Sequence, residues 1–363
     1  MELMQASRQW ATRPDDERFT SLNDMSEHFE YLREHSRELV LPSRRLHVKP
    51  ALDNRGLTIV NGDSGEHGFV PTHWAFGQLA ALGEAPAGYL RTMPSPIVAD
   101  CLNYGFQFKR NIEDVGLLLQ KTADSTLRAA TGPRYGRIWN DDVVGALIRK
   151  FGDGVTGPWK VPGEFGRDVP VTVENTTLYA GDRDMFVFLA NERNRIELPR
   201  RRNGQPGSFA RGFFMWNSEV GSSTFGLATF LFDYVCQNRI VWGADEYREI
   251  RIRHTASAPD KYIEEMLPAL DAYAAGRASN VVEAIEQARS KRLDDKLDEF
   301  LSVRFGKRLI QPLKLIHEAE EGRPIETLWD VTVAATAYAR SIRWQDERVD
   351  MERKAGEVMR LAA

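Results

Sequence analysis

Two apolar runs separated by a compact polar knot constrain this chain more than any other stretch. The first closes with Phe213-Phe214-Met215-Trp216, and the knot is Asn217-Ser218-Glu219. After Val220-Gly221-Ser222-Ser223 the second run proceeds through Phe225-Gly226-Leu227-Ala228-Thr229-Phe230-Leu231-Phe232 to Cys236-Gln237-Asn238. Side chains this apolar must be withdrawn from water, and polar groups set between them need partners or a chemical task. Burial without a partner costs a few kcal/mol per group. Asn217, Ser218, Glu219 and Asn238 therefore read either as a structural polar knot or as reactive groups.

The rest of the chain can supply the core that such runs demand. It has 363 residues, 42% of them apolar and 28% charged, which is the composition of a folded protein. Its two cysteines, Cys101 and Cys236, form no C-x-x-C pair, so a reducing cytoplasm fits better than a disulfide framework. Met1-Glu2-Leu3-Met4-Gln5 lacks the basic-then-apolar layout of a signal peptide. The strongly apolar stretch 225–235 is about half a membrane span and contains Asp233, so no membrane partner is expected.

Charge is unevenly spread. Residues 1–127 carry 13 basic and 17 acidic side chains, residues 128–259 carry 18 and 15, and residues 260–363 carry 17 and 20. Residues 193–216 hold six arginines against the single acid Glu197. A local arginine concentration can attract a polyanion even on an acidic protein, because screening confines each field to about 10 Å.

Periodicity predicts an α+β fold: a central, antiparallel-rich sheet, an N-terminal mixed segment and a helical C-terminal part. The segments expected are 1–124, packed on the core; 125–258, the α+β core; and 259–363. Helices are predicted at 26–41, 73–82, 94–107, 143–151, 261–275 and 281–301, with a last one from Thr327 to about Leu361. Asn140-Asp141-Asp142 reads as the cap of the fourth, and Asn280 with Glu283 as a capping box for the sixth. Strands are predicted at 47–52, 57–60, 126–130, 171–180, 184–191, 209–216 and 249–254, and the run 225–238 suits either strand or helix.

Several patterns offer chemistry. Gly152-Asp153-Gly154-Val155-Thr156-Gly157 matches a dinucleotide fingerprint literally, but a helix precedes it and Pro158 follows. The phosphate site needs the reverse order, a strand before and a helix N-terminus after, so the match is read as a loop. Asp182 and Asp184, two residues apart at a strand start, could join Glu219 and His254 in an oxygen-rich metal site. A tight turn explains the two aspartates equally well, and no metal or cofactor is expected. If the protein is an enzyme, Glu219 and His254 are the catalytic candidates. Ser218, Ser222, Ser223 and Cys236 lack the setting of an activated nucleophile.

Arginine and aromatic residues interleave in two places. Arg200-Arg201-Arg202 precedes the turn dipeptide Asn203-Gly204, with Arg211 and Trp216 beyond, and Arg134, Tyr135 and Arg137 form a second set. Guanidinium groups match phosphate oxygens, and exposed rings can stack on unpaired bases at about 1–3 kcal/mol each. These eight residues are the candidate nucleic-acid contacts. Burial of the rings on an alternating strand is the competing reading.

The chain also resembles a phage- and plasmid-borne family of uncharacterised function, the phage/plasmid-like proteins. The likeness rests on Trp10-Ala11-Thr12-Arg13-Pro14-Asp15-Asp16-Glu17-Arg18-Phe19, Leu127-Arg128-Ala129 with Arg134-Tyr135, Gly181-Asp182-Arg183-Asp184-Met185, Asn217-Ser218-Glu219-Val220-Gly221, Phe230-Leu231-Phe232 with Val235-Cys236-Gln237-Asn238, Arg251-Ile252-Arg253-His254 and Thr336-Ala337-Tyr338-Ala339-Arg340. Thr131-Gly132-Pro133 and Arg239 depart from the family pattern. The resemblance implies a bacterial cytoplasm and a role in single-strand metabolism. The expectation is therefore a homo-oligomeric protein binding single-stranded DNA, active in annealing or recombination. The alternatives are a metal-dependent enzyme acting on nucleic acid or nucleotides, and an inhibitor of host defence that uses the acidic C-terminal helices.

Overall fold

The computed structural model describes residues 15–51, 56–61, 68–108, 114–161, 170–174, 176–191, 193, 195–198, 207–233, 239–240, 250–275, 278–342 and 345–361. The chain opens with β1 (Arg18–Phe19) and α1 (Leu22–Glu34), which Ser21 caps by accepting the Asp24 N–H. Then follow β2 (Ser36–Pro42), β3 (Leu46–Pro50), β4 (Leu57–Asn61) and β5 (Val70–Pro71). Three helices come next, α2 (His73–Leu82), α3 (Ala87–Leu90) and α4 (Ser95–Phe108), and then the hairpin β6 (Asp114–Lys121) and β7 (Ser125–Thr131). After α5 (Asn140–Phe151) the chain is mostly strand: β8 (Trp159–Lys160), β9 (Leu178–Ala180), β10 (Met185–Asn191), β11 (Ile196–Leu198), β12 (Gly207–Asn217), β13 (Phe225–Asp233), β14 (Arg239–Ile240) and β15 (Ile250–Ile252). The remainder is helical: α6 (Ala258–Lys261), a π-helical turn Tyr262–Met266, α7 (Leu267–Ala275), α8 (Ala278–Ser290), α9 (Leu297–Phe305), α10 (Ile310–Glu321), α11 (Leu328–Ser341) and α12 (Gln345–Arg360).

The fold is α+β, as expected. A nine-stranded antiparallel sheet has the spine β1-β9-β10-β12-β13-β14, with β8, β11 and β15 joined to it. Its central strands are buried on both faces, which is why they read as continuous apolar runs rather than alternating ones. Met185, Val187, Leu189, Phe213, Met215, Phe225 and Leu227 face the largest core with α1 and α5. Phe186, Phe188, Phe214, Trp216 and Ala228 pack together on the opposite side. A four-stranded sheet, β2-β6-β7-β5, and the hairpin β3-β4 share a second core with α2 and α4. Ile196 and Phe209 extend a third core formed by the C-terminal helices. The division expected at residue 124 falls at the turn between β6 and β7, so the four-stranded sheet draws strands from both segments. Among the described residues, no helix is long and apolar enough to cross a membrane.

Several expected elements are redrawn by tertiary contacts. The helix predicted over 26–41 stops at Glu34, and Ser36–Pro42 becomes a strand paired residue for residue with β6. The expected 171–180 strand shortens to Leu178–Ala180, because Thr176 N–H donates to the Thr172 carbonyl in a turn. The helix predicted over 281–301 is interrupted: Leu293 N–H donates to the Glu326 carbonyl and Leu328 N–H to that of Lys291, which pulls the chain out of helix. Asn280 does not open that helix, since α8 already begins at Ala278. Thr327 does cap α11, in a reciprocal box with Asp330, but the helix ends at Ser341 and a second one begins at Gln345.

Candidate functional site

The polar knot sits at the end of β12, where the chain turns towards β13. Asn217 donates through Nδ2 to the Ile138 carbonyl and to Asn140 Oδ1, both at 2.7 Å. Ser218 Oγ donates to the Arg183 carbonyl at 2.6 Å and accepts the Ser222 N–H at 2.9 Å. Glu219, only 4% exposed, accepts from Arg128 Nη1 at 2.8 Å and from the Asn140 N–H at 2.9 Å. The Val220 carbonyl takes Trp74 Nε1–H and Gln78 Nε2–H. One short turn thus ties together α2, β7, α5 and the β9–β10 turn.

This corrects the reading of Asn140 as a helix cap. Asn140 lies in the first turn of α5, its side chain is used by Asn217, and the residue before the helix, Trp139, makes no side-chain cap. The Glu219 carboxylate takes over, placing negative charge where α5 presents a free N–H and the positive end of its dipole. Each Glu219 oxygen is occupied by a donor, and Glu219 shares no hydrogen bond with His254. The geometry is that of a tie.

Next to the knot, Tyr135 is held on every side. Its hydroxyl donates to the Ser218 carbonyl at 2.7 Å, its ring stacks on His254 with centroids 4.9 Å apart, and Arg137 lies 5.2 Å from its centroid. Burial pushes the phenol above its usual range. Arg137 is itself buried, donating through Nε to Glu38 Oε1 at 2.8 Å. Gly136 makes this assembly possible, because a Cβ there would lie 1.9 Å from the Thr255 carbonyl oxygen. Gly136 N–H donates to the His254 carbonyl, and His254 Nδ1 lies 3.0 Å from the Gly136 carbonyl.

An imidazole nitrogen facing a carbonyl must carry the proton, so the neutral ring holds it on Nδ1 and leaves Nε2 bare. Burial lowers the His254 pKa to about 4, opposed by the Gly136 carbonyl and reinforced by Arg137. The sign of the linkage is fixed by that depression. Folding excludes a proton that the unfolded chain takes up below about 6.5, so the stabilisation is complete above pH 6.5 and declines as pH falls to 4. The expected loss is on the order of 3 kcal/mol. Urea titrations at pH 7 and 4 should show it in the wild type and a flatter profile in His254→Gln.

The other predicted contacts are dispersed. Trp216 is 3% exposed and lies over Gly226, whose Cβ would fall 1.8 Å from its ring. Neither Trp216 nor Tyr135 offers a free face to a base, because neighbouring groups already cover both rings. Arg211 is half-buried and donates to the Tyr273 carbonyl at 3.3 Å. Asp184 is buried and Asp182 is half-exposed beside Arg183. The described residues contain no cluster of His, Cys, Asp and Glu arranged to hold a metal. Arg200, Arg201, Arg202, Cys236 and Asn238 lie outside the described residues.

Arg134 differs from all of these. It is exposed, its guanidinium has no partner among the described residues, and it lines an open cleft of about 1000 Å³. Tyr135, His254, Thr255 and Ser257 form other parts of the wall, with Asp114 on the rim. Arg253, also exposed, leads into this wall from β15, and its guanidinium likewise has no partner among the described residues. Sequence reasoning missed Gly136, took Asn140 only as a helix cap, and met Arg128 only within a motif of the family resemblance. Arg128 did carry a signal, as a lone cation inside Leu127-Arg128-Ala129-Ala130.

A family model described as a domain of unknown function, DUF932, matches residues 168–353, a span that holds the knot and most of the C-terminal helices. No curated protein and no solved structure matches the chain.

Proposed function

Because the chain belongs to the DUF932 family, whose function is unknown, its activity must come from its own surfaces, and we propose that it binds single-stranded nucleic acid, with the cleft beside His254 as a phosphate-binding contact. The observation that carries this reading is the exposed guanidinium of Arg134, which lines that cleft and has no partner among the described residues. Arg253, exposed and directly before His254 in sequence, is the second candidate cation, and the Thr255 and Ser257 hydroxyls of the cleft wall can donate to phosphate oxygens. Arg200, Arg201 and Arg202 add a second basic stretch. The motifs shared with phage/plasmid-like proteins favour a mobile-element protein of the bacterial cytoplasm. There it would act as a homo-oligomer in strand annealing or recombination.

Gel shifts on single-stranded DNA, duplex DNA and RNA at two salt concentrations test the reading. The double variant R134A/R253A should weaken single-strand binding across all sequences. Its slope of log affinity against log salt should be shallower by about 1.4, two phosphates at roughly 0.7 each. R200A/R201A/R202A should act in the same direction. Unchanged affinity in both variants would remove the arginine assignment, and absence of binding in the wild type would remove the function.

A further inference from the structure

The cleft beside His254 carries two charges of opposite sign that nothing described neutralises. β6 and β7 pair with Gly116 opposite Thr131, so Asp114, the first residue of β6, and the chain leaving β7 share one end of that hairpin. Past Thr131 the chain turns, with the Tyr135 N–H donating to the Gly132 carbonyl at 3.0 Å, and exposed Arg134 stands on the turn. A second turn completes the cleft, in which the Ala258 N–H donates to the Thr255 carbonyl at 2.8 Å. The bond from the Gly136 N–H to the His254 carbonyl at 3.2 Å fastens the two turns together. Asp114 and Arg134 are both exposed and both line the cleft, yet they form no ion pair with each other or with any other described residue. Exposed Pro133 and Ala256 add apolar surface to the same cleft.

A carboxylate repels phosphate, so a cleft that held only the nucleic-acid backbone would gain nothing from Asp114. It gains from a ligand that brings hydrogen-bond donors together with its phosphate. A carboxylate only accepts, and it therefore sorts unpaired bases by their donors. Guanine alone of the common bases sets two donors side by side on its Watson–Crick edge, N1–H and the 2-amino group, which a carboxylate accepts in parallel. Adenine and cytosine place a bare ring nitrogen beside the amino group, and thymine and uracil flank N3–H with two carbonyls. Each of those lone pairs repels a carboxylate. The edge is open only in an unpaired base. We propose that Asp114 reads guanine in the single strand whose phosphate Arg134 holds. The proposal rests on the nucleic-acid reading and adds base selectivity to it: the phosphate contact positions the strand, and the carboxylate specifies the base.

Fluorescence anisotropy with the full chain tests it, on labelled thymidine strands carrying guanine, hypoxanthine or adenine at every third position. Hypoxanthine keeps N1–H and lacks the 2-amino group. The wild type should bind the guanine strand about fivefold more tightly than the other two, at the lower end for a bidentate base contact because Asp114 is exposed. D114N should bring that ratio below about twofold and bind plain thymidine strands no more weakly, since it removes a charge that repels phosphate. R134A should weaken binding to every strand and keep the ratio. D124N, which removes an exposed acid at the opposite end of the same hairpin, should leave both affinity and ratio unchanged. Because the Asp114 side chain bonds to no described residue, D114N and D114A should keep the wild-type unfolding midpoint in urea. Equal affinity for the three strands in the wild type, or a guanine preference that survives D114N, would overturn the proposal and leave salt-sensitive single-strand binding in place. Absence of binding to every strand would overturn both.

Discussion

Glu219→Gln is expected to lower the free energy of unfolding by about 3–5 kcal/mol, the usual consequence of removing one member of a buried ion pair. Glu219 and Arg128 are 4% and 5% exposed and meet at 2.8 Å, so Arg128 would remain charged, desolvated and facing an amide. The same substitution withdraws the negative charge from the N-terminus of α5. Urea denaturation at pH 7 measures the loss. R128M/E219M should recover much of it, because two apolar side chains leave no unpaired charge. Wild-type stability in Glu219→Gln, together with loss of a metal-dependent activity on nucleic acid, would restore Glu219 to the catalytic role.

Asp330→Asn should have an effect of similar size, about 3–5 kcal/mol, and a distinct pH signature. Asp330 is 1% exposed; it accepts two bonds from Arg323, at 2.9 and 2.5 Å, and the backbone N–H groups of Glu326 and Thr327. Buried His317 places Nε2 3.6 Å from the same carboxylate. Burial opposes ionisation, but His317, Arg323 and the Glu326 N–H outweigh it and hold the carboxyl well below its usual range. A depressed carboxyl stabilises the fold fully above its unfolded pKa, about 3.9, and progressively less as pH falls further. The gap between wild type and Asp330→Asn should therefore be widest near neutrality and narrow below about pH 4. Chemical denaturation at pH 7 and pH 3 checks both the size and the sign. A gap that stayed constant would mean that the asparagine amide replaces every bond the carboxylate makes.

What could be read from the residues follows how local the cause was. The runs of β10, β12 and β13 are so apolar that any fold must bury them, and α2 begins where Thr72 can cap it. Thr327 likewise announced α11, because a capping box needs only residues three apart. Non-local causes were hidden. Residues 36–42 could continue a helix until β6 offers a ladder, and α10 has no counterpart among the expected elements. In the candidate site, Arg134 and Tyr135 were singled out as a pair, yet one faces solvent and the other is enclosed by Arg137, His254 and Ser218.

Apolar patterning alone determined that the runs of β10, β12 and β13 are buried, since leaving those side chains in water is too costly, and periodicity pointed to an α+β arrangement around them. Tertiary structure decided which charges are spent inside the protein and which remain available. Arg128 and Arg137 are consumed by Glu219 and Glu38, whereas Arg134 keeps its guanidinium in water. Neighbouring arginines in one short stretch differ so sharply because a charge is neutralised by what approaches it in space. Those partners lie 91 and 99 residues away along the chain.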